Sequence, residues 1–198
     1  MTDNHTPAAL ASFLQCLSIL ETETYCLYKA LSEKAEVPLV KSLLFGIAVD
    51  SQKHAELLKG VVASIAPKHE VDPQDCKKRI GETLGIIAKI TQDVASKKKI
   101  SEHELWHHIN ELDVLESTAG EEYSVFVQLK TLTSMSQEIN RFYNVDLNSI
   151  KSIFVSIMND EEHHREMLES IKKLLNERKQ EQQSQDPLME YRELFNRK

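Results

Sequence analysis

Residues 149–179 read SIKSIFVSIMNDEEHHREMLESIKKLLNERK, and the order of apolar and charged positions in this stretch decides the fold. Ile150, Ile153, Ile157, Asp160, His164, Met167 and Ile171 follow one another at alternating steps of three and four. That spacing keeps side chains on one stripe of an α-helix. The stripe is apolar at both ends and ionisable in the middle. Glu161 stands three residues before His164, so both project to one side of the helix, within reach of one ion. A second stretch repeats the pattern. Leu43, Ile47, Asp50, His54, Leu57 and Val61 step in the same way, and VDSQKHAELL at 49–58 aligns with NDEEHHREML at 159–168. The match is a weak internal duplication with polar groups at the same depth in both halves.

Outward from these two segments, only five Gly and five Pro punctuate the 198 residues, so turns are few and elements are long. Pro7 opens a first helix to about Ala35, and Pro38 opens a second that Pro67 ends. KHEVDPQD is a loop in which Asp72 caps a helix beginning at Pro73, with Ile80, Leu84, Ile87 and Thr91 on one face. Ser101 and Glu104 form a capping-box pattern ahead of a long helix to about Met135. A break at FYNVDLN precedes the stretch quoted above. Strand signals are absent. The expectation is an all-α chain: a four-helix bundle over residues 1–176, whose long crossover contains an additional helix. Residues 177–198 follow as a polar extension, QEQQSQDP, and a short amphipathic helix carrying Leu188, Tyr191, Leu194 and Phe195.

Apolar residues make up 41% and charged residues 28% of the chain, the balance of a globular domain. A formal charge of −7 argues against nucleic acid or an anionic membrane as the main partner. No apolar run reaches the roughly 18 residues of a membrane span, and MTDNHTPAALASF lacks the features of a secretory signal. Cys16, Cys26 and Cys76 are odd in number, and no C-x-x-C pair exists. The expectation is a reduced, cytoplasmic chain without a rubredoxin-like knuckle, its cysteines acting as small apolar residues. His103, His107 and His108, with Glu104 and Glu111, read as an exposed helix face.

The other two long helices also place a carboxylate at mid-stripe. In the first, Leu14, Leu17, Glu21, Thr24, Tyr28 and Leu31 share a face; in the third, Val114, Thr118, Glu121, Val125 and Gln128 do. Burying several carboxylates and imidazoles together costs several kcal/mol per ion unless a counter-charge is present. A metal ion supplies that charge. Four helices with inward Glu, and His on two of them, make a di-iron arrangement.

At these residues the chain resembles the rubrerythrin-like branch of the ferritin-like superfamily. The matching pieces are Glu21 with Tyr28, S-Q-K-H-A at 51–55, GEEY at 120–123 and D-E-E-H-H at 160–164. They span roughly residues 10–66 and 110–175. The resemblance implies a ferritin-like bundle and a ligand set of Glu21, His54, Glu121, Glu161 and His164, with Glu21, Glu121 and Glu161 taking part in the chemistry. The sequence departs from the family at Ser51, where a ligating Glu stands, and at Ser124, where the family often has a further Glu. Either Asp50, next to Ser51, completes the set, or one metal position is weak, or the site has been lost.

The function implied is that of a non-haem di-iron protein, with manganese or a mixed manganese–iron pair as other occupants. It would react with hydrogen peroxide or dioxygen as a peroxidase or ferroxidase and draw electrons from an external donor. Two other readings stay open: an oxygenase or oxidase acting on an organic substrate, and a metal-free or mononuclear helical scaffold. The apolar residues of the tail suggest a homo-oligomer.

Overall fold

A computed structural model describes residues 7–68, 70–113 and 147–184, and the regular elements among them are all helices. They are α1 (Pro7–Lys34), α2 (Pro38–Ile65), α3 (Pro73–Ser96), α4 (described over 102–113) and α5 (Leu147–Ser184). Their starts follow the prolines. Pro38 lies in the first turn of α2, where its fixed φ suits the helix and its missing N–H goes unneeded. Ahead of Pro73, the Asp72 carboxylate accepts from the Gln74 backbone N–H at 2.9 Å. The capping box at α4 closes both ways: Ser101 N–H donates to Glu104 Oε2 at 2.9 Å, and Glu104 N–H to Ser101 Oγ at 3.2 Å. At the other end of α2, Ala66 N–H donates to the Val62 carbonyl and Pro67 stops the helix.

The three-residue link at 35–37 folds α2 back along α1, and among the described residues these two helices make the most extensive helix pair. α3, the additional helix expected in the crossover, lies against α1. α5 packs on α2 in the opposite direction, for Asp50 faces His164 while His54 faces Asp160. α4 and α5 also run opposed. Asp113 pairs with Lys172 and Glu102 with Arg178, each at 2.9 Å. Leu14, Leu17, Leu27 and Leu31 of α1, Leu44, Ile47 and Leu58 of α2, and Phe154, Ile157, Leu168 and Ile171 of α5 are fully buried. Each contributes about 1.5–3 kcal/mol by leaving water.

Half of each stripe drawn on the sequence is buried as expected (Ile47, His54 and Val61; Ile150, Ile157, His164 and Ile171), and at the alternate positions the buried residue is the next one along. In α2 the inward line is Val40, Leu44, Ile47, Ser51, His54 and Leu58, with Asp50 on the flank. In α5 it is Ile150, Phe154, Ile157, Glu161, His164 and Leu168, with Asp160 on the flank. Both lines pass through the histidine. Ser51 therefore occupies in α2 the place that Glu161 occupies in α5.

Other expectations are corrected. Cys16 and Cys76 are joined in a disulfide (Cα–Cα 5.1 Å), both buried, which fastens α3 to α1. Cys26 is free and exposed rather than packed. The chain separation of 60 residues hid the pair, because only the docking of α3 on α1 brings the two together. α5 continues to Ser184, so residues 177–184, expected as a polar extension beyond the bundle, prolong the helix itself; residues 185–198, with the expected short amphipathic helix, lie outside the described residues. On α3 the buried face is Ile80, Ile87, Ile90 and Val94, while the Thr91 hydroxyl donates back to the Ile87 carbonyl. The backbone leaves helical geometry at Ile80 (φ −129°, ψ 24°), where α3 kinks. Among the described residues no helix is long and apolar enough to cross a membrane.

Candidate metal centre

Glu21 of α1, His54 of α2 and Glu161 of α5 meet inside the helical core, one ligand atom of each lying within 4.8 Å of the others. All three are buried, His54 completely. His54 Nδ1 stands 3.2 Å from Glu161 Oε1 and 3.7 Å from Glu21 Oε1. Donors held about 2.0–2.2 Å from one tetrahedral ion lie roughly 3.3–3.6 Å apart, so the spacing fits a shared cation. Nδ1 is also buried without an aligned hydrogen bond to either carboxylate. A buried ring nitrogen in that condition costs stability unless something lies between it and the oxygens.

His164 belongs to the same layer. Its Nδ1 is 3.8 Å from Glu161 Oε2, and its ring centroid lies 5.9 Å from that of His54. The far side of each ring is braced from the opposite helix. His54 Nε2 lies 3.0 Å from Asp160 Oδ2 on α5, and His164 Nε2 lies 3.5 Å from Asp50 Oδ2 on α2. The two braces are reciprocal. Lys53 ties them together, with Nζ 2.6 Å from Asp50 Oδ1 and 2.8 Å from Asp160 Oδ2.

The electrostatics follow the geometry. Burial opposes a charged imidazole at His54, but the Glu161 and Glu21 carboxylates outweigh it and raise its pKa to about 10. The carboxylates thus draw a positive charge to Nδ1, where a proton and a metal ion compete for one position. At Asp50 and Asp160 partial burial favours the neutral acid. It is outweighed at Asp50 by Lys53 and His164, and at Asp160 by His54 and Lys53, so both carboxyls stay below the usual range. Lys53 is correspondingly raised, since Asp160 and Asp50 overcome its own desolvation.

Of the residues expected from the sequence, the structure brings together Glu21, His54, Glu161 and His164. Asp50 does not join them. It sits on the flank of α2, about 30% exposed, and faces the outer nitrogen of His164. Glu121 lies outside the described residues, as do Tyr123 and Ser124. Ser51 is buried at mid-stripe, directed into the core with no carboxylate to offer. The sequence reasoning missed the bracing role of Asp160 and the bridge at Lys53. The signal was present as D-x-x-x-H in both helices, 50–54 and 160–164. Each Asp serves the histidine of the other helix, which a single-helix view cannot show.

Away from this centre, His108 departs from the exposed face expected of it. It is buried at the α3–α4 contact, with Nε2 3.3 Å from Asp93 and Nδ1 3.6 Å from Glu111. His107 remains exposed. The buried Glu21–His54–Glu161 group has the donors and spacing to hold a metal ion. No family model, no curated protein and no solved structure matches the chain.

Proposed function

We propose that this chain is a ferritin-like protein of the rubrerythrin-like kind, which binds iron at Glu21, His54 and Glu161 and reacts with hydrogen peroxide or dioxygen. The observation that carries this reading is the orphaned, fully buried His54 Nδ1 between two carboxylates, with Asp160 holding its other nitrogen. The carboxylate–histidine–metal chain is how proteins commonly fix an imidazole for an ion. His164 and Glu121 would complete the set, the latter as the sequence resemblance implies.

Bound iron would supply reversible one-electron chemistry toward the oxidant, and manganese can occupy the same donor set. The chain's own residues do the rest. Asp160 accepts from Nε2 of His54, and Asp50 stands 3.5 Å from Nε2 of His164, so that each Nδ1 faces inward. Glu21 and Glu161 balance positive charge and exclude water by being buried themselves. Re-reduction calls on an external electron donor.

Ser51 favours a second form of the same reading. With a hydroxyl where α5 has Glu161, the α2 side lacks a negative charge and offers only a weak, neutral oxygen donor. One strong metal position and one weak one then follow. Elemental analysis after anaerobic loading with ferrous iron tests both forms. About two irons per chain would support the paired site, and a single ion the asymmetric one. Each should be accompanied by a near-ultraviolet absorbance change on exposure to oxidant. The double variant Glu161→Ala/His164→Ala should bind none, and retained iron would overturn the assignment.

A further inference from the structure

Lys53 projects from the outer side of α2 and ends across the seam between α2 and α5. Its Nζ donates to Asp50 Oδ1 on its own helix at 2.6 Å and to Asp160 Oδ2 on α5 at 2.8 Å. These are the two carboxylates that stand behind the histidines. Asp160 Oδ2 lies 3.0 Å from His54 Nε2, and Asp50 Oδ2 lies 3.5 Å from His164 Nε2. At Asp160 one oxygen serves both the ammonium and the imidazole. A single cation therefore sits where both braces end.

Two carboxylates gathered around one ammonium repel each other once it is removed. Their side chains are 30% and 28% exposed, so each has water to turn to. Parting would draw Asp160 away from His54 and Asp50 away from His164 in one movement. An exposed ion pair on its own contributes little. This one differs in what it holds, since the rings behind the carboxylates are buried and take their orientation from them. We propose that Lys53 is a positioning residue of the metal centre: its ammonium holds Asp50 and Asp160 across the seam, and through them fixes both imidazoles for the ion. This role rests on the metal-binding function proposed above. Positioning and bare charge act here with opposite sign. Removing a positive charge close to a cation site would by itself tighten metal binding, whereas loss of the support weakens it.

Ferrous ion is titrated anaerobically into the full chain and into Lys53→Met, Lys53→Arg, Asp160→Asn and Lys53→Met/Asp160→Asn, with far-ultraviolet circular dichroism as the check on folding. The Lys53 side chain is 43% exposed, so Met at this position removes no core packing. Lys53→Met is expected to bind ferrous ion about tenfold more weakly, the lower end of the range for losing such a support. Lys53→Arg should keep most of the affinity, because a guanidinium can also donate to both carboxylates. In the Asp160→Asn background the loss from Lys53→Met should shrink, since half of what Lys53 holds is already neutral. Unchanged or tighter binding in Lys53→Met, or an undiminished loss in the Asp160→Asn background, would overturn the positioning role alone. A parent chain that takes up no ferrous ion would overturn the metal-binding function itself, and this role with it.

Discussion

Asp160 on α5 reaches across to His54 on α2, with Oδ2 3.0 Å from Nε2, while Asp50 on α2 returns the contact to His164 at 3.5 Å. Each histidine is thus oriented by the helix it does not belong to. Rotation or sliding of α2 against α5 disturbs both imidazoles together, so the helix contact and the candidate metal centre are one mechanical unit. Asp160→Asn and Asp50→Asn keep the side-chain shape but remove the charge. Loss of such a brace lowers metal affinity by about 10–100-fold. Asp160→Asn is expected at the upper end, because its contact is shorter and its histidine is the one between Glu21 and Glu161. Metal titration measures this, and unchanged far-ultraviolet circular dichroism should accompany it. Equal, negligible losses in both variants would remove the bracing role.

Ser51 invites the converse experiment. It lies on the buried line of α2 one turn ahead of His54, as Glu161 lies one turn ahead of His164 on α5. Ser51→Glu would give α2 the E-x-x-H of α5. In the metal-free protein the added bulk and charge should lower stability, overpacking alone costing about 1–3 kcal/mol. With metal present the loss should reverse and the stoichiometry rise. Thermal denaturation with and without ferrous ion, alongside metal analysis, distinguishes the outcomes. A variant that stays destabilised in saturating metal would show that the carboxylate does not reach the ion.

The path from sequence to site was open in some places and closed in others. Helix limits were legible because Pro7, Pro38, Pro67 and Pro73 mark them by covalent geometry, and Ser101 with Glu104 by a local hydrogen-bond pattern. The ionisable layer was legible because Glu21, His54, Glu161 and His164 interrupt apolar stripes. The facing of Asp50 was not. A step of three or four fixes a stripe only to within one residue, about 100° around the helix, and the packing partner decides which neighbour turns inward. Ser51 and Asp50 compete for that place. The small hydroxyl turns in beside His54, while the carboxylate stays at the rim where Lys53 and water can reach it. The Cys16–Cys76 bridge was hidden for a related reason: it joins elements whose contact no local pattern encodes.

The start of α4 offers a pH test independent of metal. Glu104 accepts from the Ser101 hydroxyl and backbone N–H and from Lys97, and these contacts lower its pKa to about 2. A carboxyl depressed on folding stabilises the protein above its unfolded pKa, near 4.5, and loses that contribution as pH falls toward 2. Comparing Glu104→Gln with the parent by thermal denaturation should therefore show a gap that is full at neutral pH. It should narrow as the pH drops through the acid range. A gap independent of pH would mean that the Glu104 charge is not what holds the cap.

The disulfide makes the final prediction. Cys16 sits in α1 five residues before Glu21, and the bridge to Cys76 is the covalent tie between α1 and the crossover helix α3. Native protein should show one reactive thiol, Cys26, and denaturation after reduction should reveal all three. A cross-link spanning 60 residues removes many conformations from the unfolded chain, and bridges of this kind stabilise by about 2–4 kcal/mol. Cys76→Ser and chemical reduction should each lower the thermal midpoint by a corresponding amount. The apolar contacts of Ile87, Ile90 and Val94 should still hold α3 in place. Because α3 lies against α1 and not across the buried ligand group, metal binding should survive the loss of the bridge. If reduction instead released the metal, the position of Glu21 would have to depend on the clamp at Cys16, and α3 would be part of the site rather than a cover on one of its helices.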